Sequence, residues 1–215
     1  MKKTEPLLWL VAGPNGAGKT TVAQSLSYTL GLHLLRSLNP DNVSKELLQQ
    51  RGNYTFASAP DDMLRSTFLE AASSVFERSK TAVESGEAIC LETVLSTDKY
   101  RELVQIVLKR GGFFGLIYVA VSSTAISARR IAARVRLGGH DVPSNKLVSR
   151  WQRSLEQLPW FVNRAQVAFI YDNSNENPGL PPTLLAHKRN GTLEIIRPDL
   201  IPELTHALSQ TLPSI

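Results

Sequence analysis

A glycine-rich stretch near the amino end has the residue types and the spacing needed to hold phosphate groups. Residues 13–20 read Gly-Pro-Asn-Gly-Ala-Gly-Lys-Thr and fit the pattern G-x-x-x-x-G-K-[ST] at every fixed position. Glycines let the backbone wind tightly around an anion and direct its N–H groups inward. Lys19 can reach the outer phosphates, and the Thr20 hydroxyl can hold Mg²⁺. The pattern therefore predicts binding of a nucleoside triphosphate together with Mg²⁺, and leaves the phosphate acceptor open.

The predicted nucleotide-binding residues are Gly13, Pro14, Asn15, Gly16, Ala17, Gly18, Lys19, Thr20 and Thr21, and the predicted metal ligand is Thr20.

Asp41 is the first acidic residue that could act on an acceptor. Asn39 can cap a helix whose first position is Pro40, so Asp41 lies in the first turn of that predicted helix. This turn lies beyond the carboxyl end of the predicted second strand, where ligands of open α/β sheets gather. A carboxylate there could take the proton from a hydroxyl that attacks the γ-phosphate. The alternative is an acid that serves only the helix dipole.

Glu92 follows a short apolar strand and is predicted at the same sheet edge as the phosphate loop. It could hold Mg²⁺ through water, activate a water molecule or bind a substrate hydroxyl. The alternative is a strand-end acid that caps the next loop.

Four arginines fall within eight residues of one predicted helix, at positions 129, 130, 134 and 136. Arg130 and Arg134 are one turn apart, and a hinge-like segment containing His140 follows at 137–143. Arginines beside a mobile flap can neutralise charge on a phosphoryl group in flight, so Arg130 and Arg134 are catalytic candidates. A solvated helix face is the alternative.

The elements that must position these side chains alternate between strands and helices. The apolar run at 7–12 is too short for a free-standing helix and predicts a buried strand, followed by the loop and a helix over 21–30. The pattern predicts a three-layer α/β fold around a five-stranded, mainly parallel sheet. The further strands are predicted at 32–38, 88–91, 113–121 and 167–171, and the further helices at 40–50, 61–85, 98–110, 124–136 and 144–157.

The carboxyl-terminal part is predicted to be a small hairpin followed by a helix. Two short apolar segments flank Lys-Arg-Asn-Gly at 188–191, which is typical of an Asn-Gly turn. We expect a single domain over 1–215, with a lid at about 136–147 and the hairpin and helix at about 183–212.

Composition limits the class of protein. The chain has 215 residues, of which 42% are apolar and 20% charged, as in an ordinary globular domain. No apolar run is long enough to span a bilayer, and the single cysteine excludes an internal disulfide, so we expect a cytoplasmic protein away from membranes. The net charge of +5 indicates affinity for anions, which suits either a nucleotide pocket or nucleic acid.

Three other functions are alternatives to a small-molecule kinase. An ABC-type ATPase needs a Leu-Ser-Gly-Gly-Gln signature and a strand that ends in Asp-Glu, and the sequence has neither. A polynucleotide kinase or other nucleic-acid-linked ATPase fits the positive charge but lacks an evident aromatic stacking platform, so nucleic acid is the less favoured partner. A nucleotide switch without catalysis would leave Asp41 inert.

The chain resembles the zeta toxin family, the P-loop kinases of bacterial toxin–antitoxin systems and their chromosomal relatives. The resemblance runs from about residue 7 to 174. It rests on the phosphate loop, Asn39-Pro40-Asp41, Glu92-Thr93, Arg130…Arg134-Val135, Gly138-Gly139-His140-Asp141-Val142-Pro143 and Tyr171-Asp172-Asn173-Ser174.

The resemblance implies a fold similar to nucleotide and shikimate kinases and phosphorylation of a hydroxyl with ATP and Mg²⁺ as cofactors. It also implies UDP-N-acetylglucosamine as the family's acceptor and an antitoxin protein as a possible partner. It implies that Lys19 binds phosphates, Thr20 the metal, and Arg134 serves the transition state, with Asp41 as the base. Glu92 and Thr93 would contact the acceptor. The family's glycine between this acid and threonine is absent here, and the family's second lid arginine has no clear counterpart, since His140 or Arg150 could occupy that region.

Overall fold

Seven strands form one sheet in the computed structural model, which describes residues 4–177 and 180–211. Their bounds are β1 Leu7–Ala12, β2 Arg36–Leu38, β3 Ala88–Thr93, β4 Phe113–Ala120, β5 Val167–Asp172, β6 Thr183–Arg189 and β7 Thr192–Ile195. The order across the sheet is β2-β3-β1-β4-β5-β6-β7. The first five strands pair in parallel, whereas β6 is antiparallel to both of its neighbours. The central strand β1 thus carries the phosphate loop into the middle of one sheet edge.

Helices cover both faces of the sheet. They are α1 Lys19–Ser25, α2 Pro40–Gln50, α3 Asp61–Ser85, α4 Tyr100–Lys109, α5 Thr124–Arg136, α6 Ser144–Arg164 and α7 Pro202–Ser209, with a 3₁₀ helix at Leu32–Leu34. Successive residues of β1 face opposite sides, as strand geometry requires. Leu8 and Leu10 pack in the core that includes α3, α4, α6 and α7, while Trp9 and Val11 pack in the core that includes α1 and α5.

The prediction of five strands is wrong, because the carboxyl-terminal hairpin joins the main sheet. Without it, β5 would present a row of unpaired backbone groups at an edge. Strand β6 pairs with β5 and removes that edge. The predicted Asn-Gly turn is confirmed, since Asn190 and Gly191 have φ of +51° and +81°, as a tight hairpin turn requires.

The largest differences from the predicted element boundaries are at α1, β2 and α6. Helix α1 begins at Lys19 and ends at Ser25, and residues 32–34 form a 3₁₀ helix before the short strand β2. Helix α6 continues through Pro159 to Arg164 instead of ending at 157. Its last turns bury Leu158 and Phe161 in the core, and this burial offsets the backbone hydrogen bond that proline cannot donate.

The predicted carboxyl-terminal unit at about 183–212 and the predicted domain over 1–215 extend over positions outside the described residues, namely 1–3, 178–179 and 212–215. Among the residues that are described, no helix has both the length and the apolar character needed to cross a bilayer.

Candidate active site

The predicted site residues Glu92 and Thr93 lie beside the phosphate loop, at the carboxyl ends of the parallel strands. Strand β3 lies beside β1 in parallel register, with Glu92 level with Val11 and Thr93 level with Ala12. Glu92 is therefore placed at the start of the phosphate loop, although 72 residues separate it from Thr20. The predicted position of Glu92 at this edge agrees with the structure.

Close backbone packing explains the glycines of the loop. Gly13 has φ +138°, and a Cβ there would lie 2.0 Å from the carbonyl oxygen of Val119. Gly18 has φ +85°, and its Cβ would lie 2.4 Å from Asn173 Nδ2. That nitrogen donates a hydrogen bond to the Ala17 carbonyl oxygen at 2.8 Å, so the segment after β5 supports the loop. A side chain at Gly13 would displace the backbone of Val119, and one at Gly18 would displace the side chain of Asn173.

Lys19 is a buried cation that points back along the loop. Its side chain is 8% exposed, and Nζ donates to the Pro14 carbonyl oxygen at 3.1 Å. Burial lowers the pKa of the Lys19 ammonium, while the carboxylates of Glu92 and Asp41 act in the opposite direction. Because a desolvated cation gains from a nearby anion, phosphate oxygens would stabilise the charged form of this lysine.

Glu92 accepts hydrogen bonds from two parts of the site. The Thr20 hydroxyl donates to its two carboxylate oxygens, at 3.0 Å and 2.9 Å, and Asn39 Nδ2 donates to Oε2 at 2.9 Å. Hydroxyl and carboxylate oxygens are the hard donors that suit Mg²⁺. No group of three His, Cys, Asp or Glu residues that could hold a metal occurs within the described ranges. The Mg²⁺ expected here would therefore also need phosphate oxygens and water.

Asp41 stands at the rim of this site, facing Arg134. Its carboxylate Oδ2 is 4.0 Å from Arg134 Nη1, and its side chain is 47% exposed. Its backbone N–H donates to Asn39 Oδ1 at 2.8 Å, which confirms the predicted helix cap and places Asp41 in the first turn of α2. The carboxylate is thus held near an arginine while one side remains open to a substrate.

One cavity of about 290 Å³ joins the phosphate loop to the arginine helix. Its walls include Lys19, Thr20 and Glu92, together with Arg130 and Arg134 from α5. Arg130 donates to the carbonyl oxygen of Asn175 at 2.8 Å, so this arginine connects α5 with the segment after β5. Arg134 is the arginine that lies near Asp41, whereas Arg130 contacts the segment after β5.

Thr93 and His140 have different surroundings. Thr93 Oγ1 accepts the backbone N–H of Leu95 at 3.1 Å, so its hydroxyl is engaged in a local turn. His140 is held by Arg134, whose Nη2 donates to the His140 carbonyl oxygen at 2.6 Å. The imidazole also packs against Phe68 and Phe56, with ring centroids 4.2 Å and 5.8 Å away.

The pKa of His140 predicts how the segment between α5 and α6, the predicted lid, responds to pH. Burial lowers its pKa below the ordinary value of 6.5; Arg134 and Arg150 act in the same direction, while Asp41 and Asp141 oppose them. The docked imidazole is thus neutral, and its contribution to docking is present above pH 6.5 and is lost as the pH falls below it. We expect trypsin to cut at the exposed Arg136 faster at pH 5.5 than at pH 7.5, after normalising to a peptide substrate.

The matched control for this pH effect is His140→Phe, which keeps an aromatic ring and cannot be protonated. Its normalised cleavage should be the same at both pH values. An equal acceleration at low pH in wild type and in the variant would show that another group controls the lid.

Sequence reasoning missed three features of the site. The cap residue Asn39 was predicted, but its second hydrogen bond to Glu92 was not. Phe68, on α3, is half-buried and contacts His140. Arg150 Nη1 lies 3.4 Å from Asn15 Oδ1 in the phosphate loop. Each contact joins residues distant in the sequence, and helical spacing alone gives no signal for it.

A phosphate loop between the central strand of a parallel sheet and its first helix defines a P-loop NTPase with an α/β fold. The chain belongs to the AAA domain family AAA_33, whose model matches residues 8–158. No curated protein matches the chain.

Solved structures share this fold at low identity. A chain of the AvrRxo1-ORF1:ORF2 complex matches with a TM-score of 0.67 and 17% identity, covering 94% of this chain and 64% of that chain. The same complex solved with ATP matches with a TM-score of 0.66 and 16% identity, with the same coverage. A chain of the PezAT chromosomal toxin–antitoxin system of Streptococcus pneumoniae matches with a TM-score of 0.53 and 17% identity, covering 80% and 69%. The present chain thus spans less than two thirds of the AvrRxo1 chain it resembles.

Proposed function

We propose that the protein is an ATP- and Mg²⁺-dependent phosphotransferase that phosphorylates a hydroxyl of a small molecule. The observation that carries this proposal is one cavity that places Lys19 and Thr20 of the phosphate loop opposite Arg134, which lies 4.0 Å from the carboxylate of Asp41. A phosphate cradle, a second cation and a nearby carboxylate are the three parts that transfer to a hydroxyl requires.

Arg134 has the features of an anion-binding group. Its Nε is buried and, within the described part of the chain, has no hydrogen-bond partner. Its Nη2 is held by His140, which fixes the orientation of the guanidinium. A phosphoryl group beside Arg134 would supply the missing acceptor, and its developing charge would be stabilised in a preorganised site.

The proposed reaction assigns one role to each side chain. Asp41 takes the proton of the acceptor hydroxyl while the hydroxyl oxygen bonds to the γ-phosphorus of ATP. The bond between that phosphorus and the oxygen bridging the β- and γ-phosphates breaks, and ADP is released. Lys19 and Arg134 stabilise the charge on the phosphoryl oxygens. Bound Mg²⁺ supplies further neutralisation of the phosphates.

The hydrogen bonds of Glu92 favour a role in orienting the metal site. Asp41 is therefore the better candidate for the general base. Glu92 already accepts bonds from Thr20 and Asn39, so its carboxylate faces the loop. The carboxylate of Asp41 is half-exposed, and its Oδ2 lies 4.0 Å from Arg134 Nη1, a longer contact than the hydrogen bonds of Glu92. We therefore propose Glu92 as a group that orients the metal site, and not as the main contact of the acceptor.

We propose a nucleotide sugar as the acceptor, with UDP-N-acetylglucosamine as the first compound to test, because the motifs around Asp41 and His140 resemble those of the zeta toxin family. A partner protein that blocks the site is part of this proposal, since two of the similar folds were solved in complexes with partners. The single domain over 1–215, the lid at about 136–147 and the cytoplasmic location also remain predictions.

A labelling experiment tests the proposal. Radiolabelled γ-phosphate ATP is incubated with the protein and Mg²⁺, and with UDP-N-acetylglucosamine, an oligonucleotide or no acceptor. We expect label on the sugar nucleotide. Label on the oligonucleotide would favour a polynucleotide kinase, which the net charge of +5 permits. Release of phosphate alone would indicate an ATPase, and binding without turnover would contradict an enzymatic role.

A further inference from the structure

The side chain of Asn39 joins the two acidic residues of the proposed site. Its Oδ1 accepts the backbone N–H of Asp41 at 2.8 Å, and its Nδ2 donates to Glu92 Oε2 at 2.9 Å. Asn39 lies between β2 and α2 with an extended backbone, as a helix N-cap does. One amide group thus contacts both the helix that carries Asp41 and the end of strand β3.

An asparagine can make both contacts, whereas the other common cap residues cannot. Serine, threonine and aspartate also accept a hydrogen bond from the first turn of a helix. Only asparagine combines that acceptor with an NH₂ group that donates to a second partner. Aspartate would place a second carboxylate against Glu92, and serine is too short to span the two contacts.

The contact continues from Glu92 to the phosphate loop. The Thr20 hydroxyl donates its proton to the Glu92 carboxylate, at 2.9–3.0 Å. With the proton directed toward Glu92, the lone pairs of the Thr20 oxygen are free to face a cation. The orientation of Glu92 therefore determines how well Thr20 can serve as a metal ligand. Asn39 Nδ2 donates to Oε2 of Glu92, one of the two oxygens that the Thr20 hydroxyl contacts.

We propose that Asn39 is a positioning residue that holds Glu92 in the orientation required for Mg²⁺ binding at Thr20. This inference rests on the proposed function, because it assumes that MgATP occupies the loop. It assigns Asn39 a role beyond capping α2, and it predicts that the two roles can be separated by substitution.

Calorimetric titration of ATP into the protein, with and without Mg²⁺, tests this role. Asn39→Ser keeps a cap and loses the contact with Glu92. We expect its ATP affinity without Mg²⁺ and its melting temperature to stay near wild type, while the gain in affinity caused by Mg²⁺ falls by about tenfold, as for loss of an outer contact to a metal ligand. Asn39→Ala loses both contacts and should show the same loss of the Mg²⁺ effect with a lower melting temperature.

A double-mutant cycle shows whether Asn39 acts through Glu92. In a Glu92→Ala background, Asn39→Ser should cause no further change in the Mg²⁺ effect. An unchanged Mg²⁺ effect in Asn39→Ser, or an equal loss in both backgrounds, would overturn the inference while leaving the proposed function intact. Wild-type protein that binds ATP without any Mg²⁺ effect would instead overturn both.

Discussion

Asp41→Asn is expected to bind MgATP with near wild-type affinity and to lose phosphoryl transfer by about 10²- to 10⁴-fold, the usual contribution of a positioned general base. The amide keeps the size of the side chain, and the hydrogen bond from the residue 41 backbone N–H to Asn39 is unaffected. What changes is the ability to accept a proton. The measurement is the rate of label transfer to the acceptor that the labelling assay identifies, with ATP affinity measured in parallel.

Asp62→Asn is the matched control for this prediction. Asp62 also lies in the first turn of a helix, α3, and its side chain is exposed. The substitution therefore repeats the same change in helix-dipole interaction at a second helix. Asp62→Asn should transfer phosphate like wild type. Full transfer activity in Asp41→Asn would show that Asp41 is not the base. An equal loss of transfer rate in both variants would show that the loss comes from the change in net charge and not from a specific role of Asp41.

Lys19→Ala is expected to weaken ATP binding by about 100-fold, since charged hydrogen bonds to phosphate contribute roughly 1.5–3 kcal/mol and the triphosphate loses its buried cation. Turnover should fall below detection. The fold should persist, because burial already disfavours the charged form of Lys19 and its removal relieves that cost. The measurements are ATP affinity by calorimetry and the thermal melting curve of the free protein.

Lys45→Ala is the control for the loss of one positive charge. Lys45 is exposed on α2. The Lys45→Ala protein should therefore bind ATP with wild-type affinity. Wild-type ATP affinity in Lys19→Ala would place the nucleotide away from the loop. A large fall in its melting temperature would mean that Lys19 supports the fold, chiefly through its bond to Pro14.

Local signals allowed much of the site to be predicted from the sequence. The phosphate loop follows from the spacing of its glycines, lysine and threonine, because backbone shape there depends on residues that are close in the chain. The start of α2 follows from Asn39 and Pro40, a cap and a first-turn proline. The position of Glu92 follows from the strand that precedes it, since parallel strands bring their carboxyl ends to one edge.

Contacts between distant segments could not be predicted in the same way. The Asn-Gly turn predicts the hairpin itself, but pairing of β6 with β5 depends on an open sheet edge that only the folded chain presents. Pro159 is a local signal for the end of a helix, and it is overridden by the burial of Leu158 and Phe161. The contact of Phe68 with His140 requires α3 and the lid segment to meet, which their periodicity does not specify.

A crystal structure with a non-hydrolysable ATP analogue and Mg²⁺ tests the central claim most directly. The account predicts the triphosphate across the phosphate loop, with its terminal phosphate at hydrogen-bond distance, about 2.7–3.2 Å, from Lys19 and Arg134. The carboxylate of Asp41 should border the open space next to that phosphate. A triphosphate bound elsewhere, or Asp41 turned away from its last phosphate, would contradict the account.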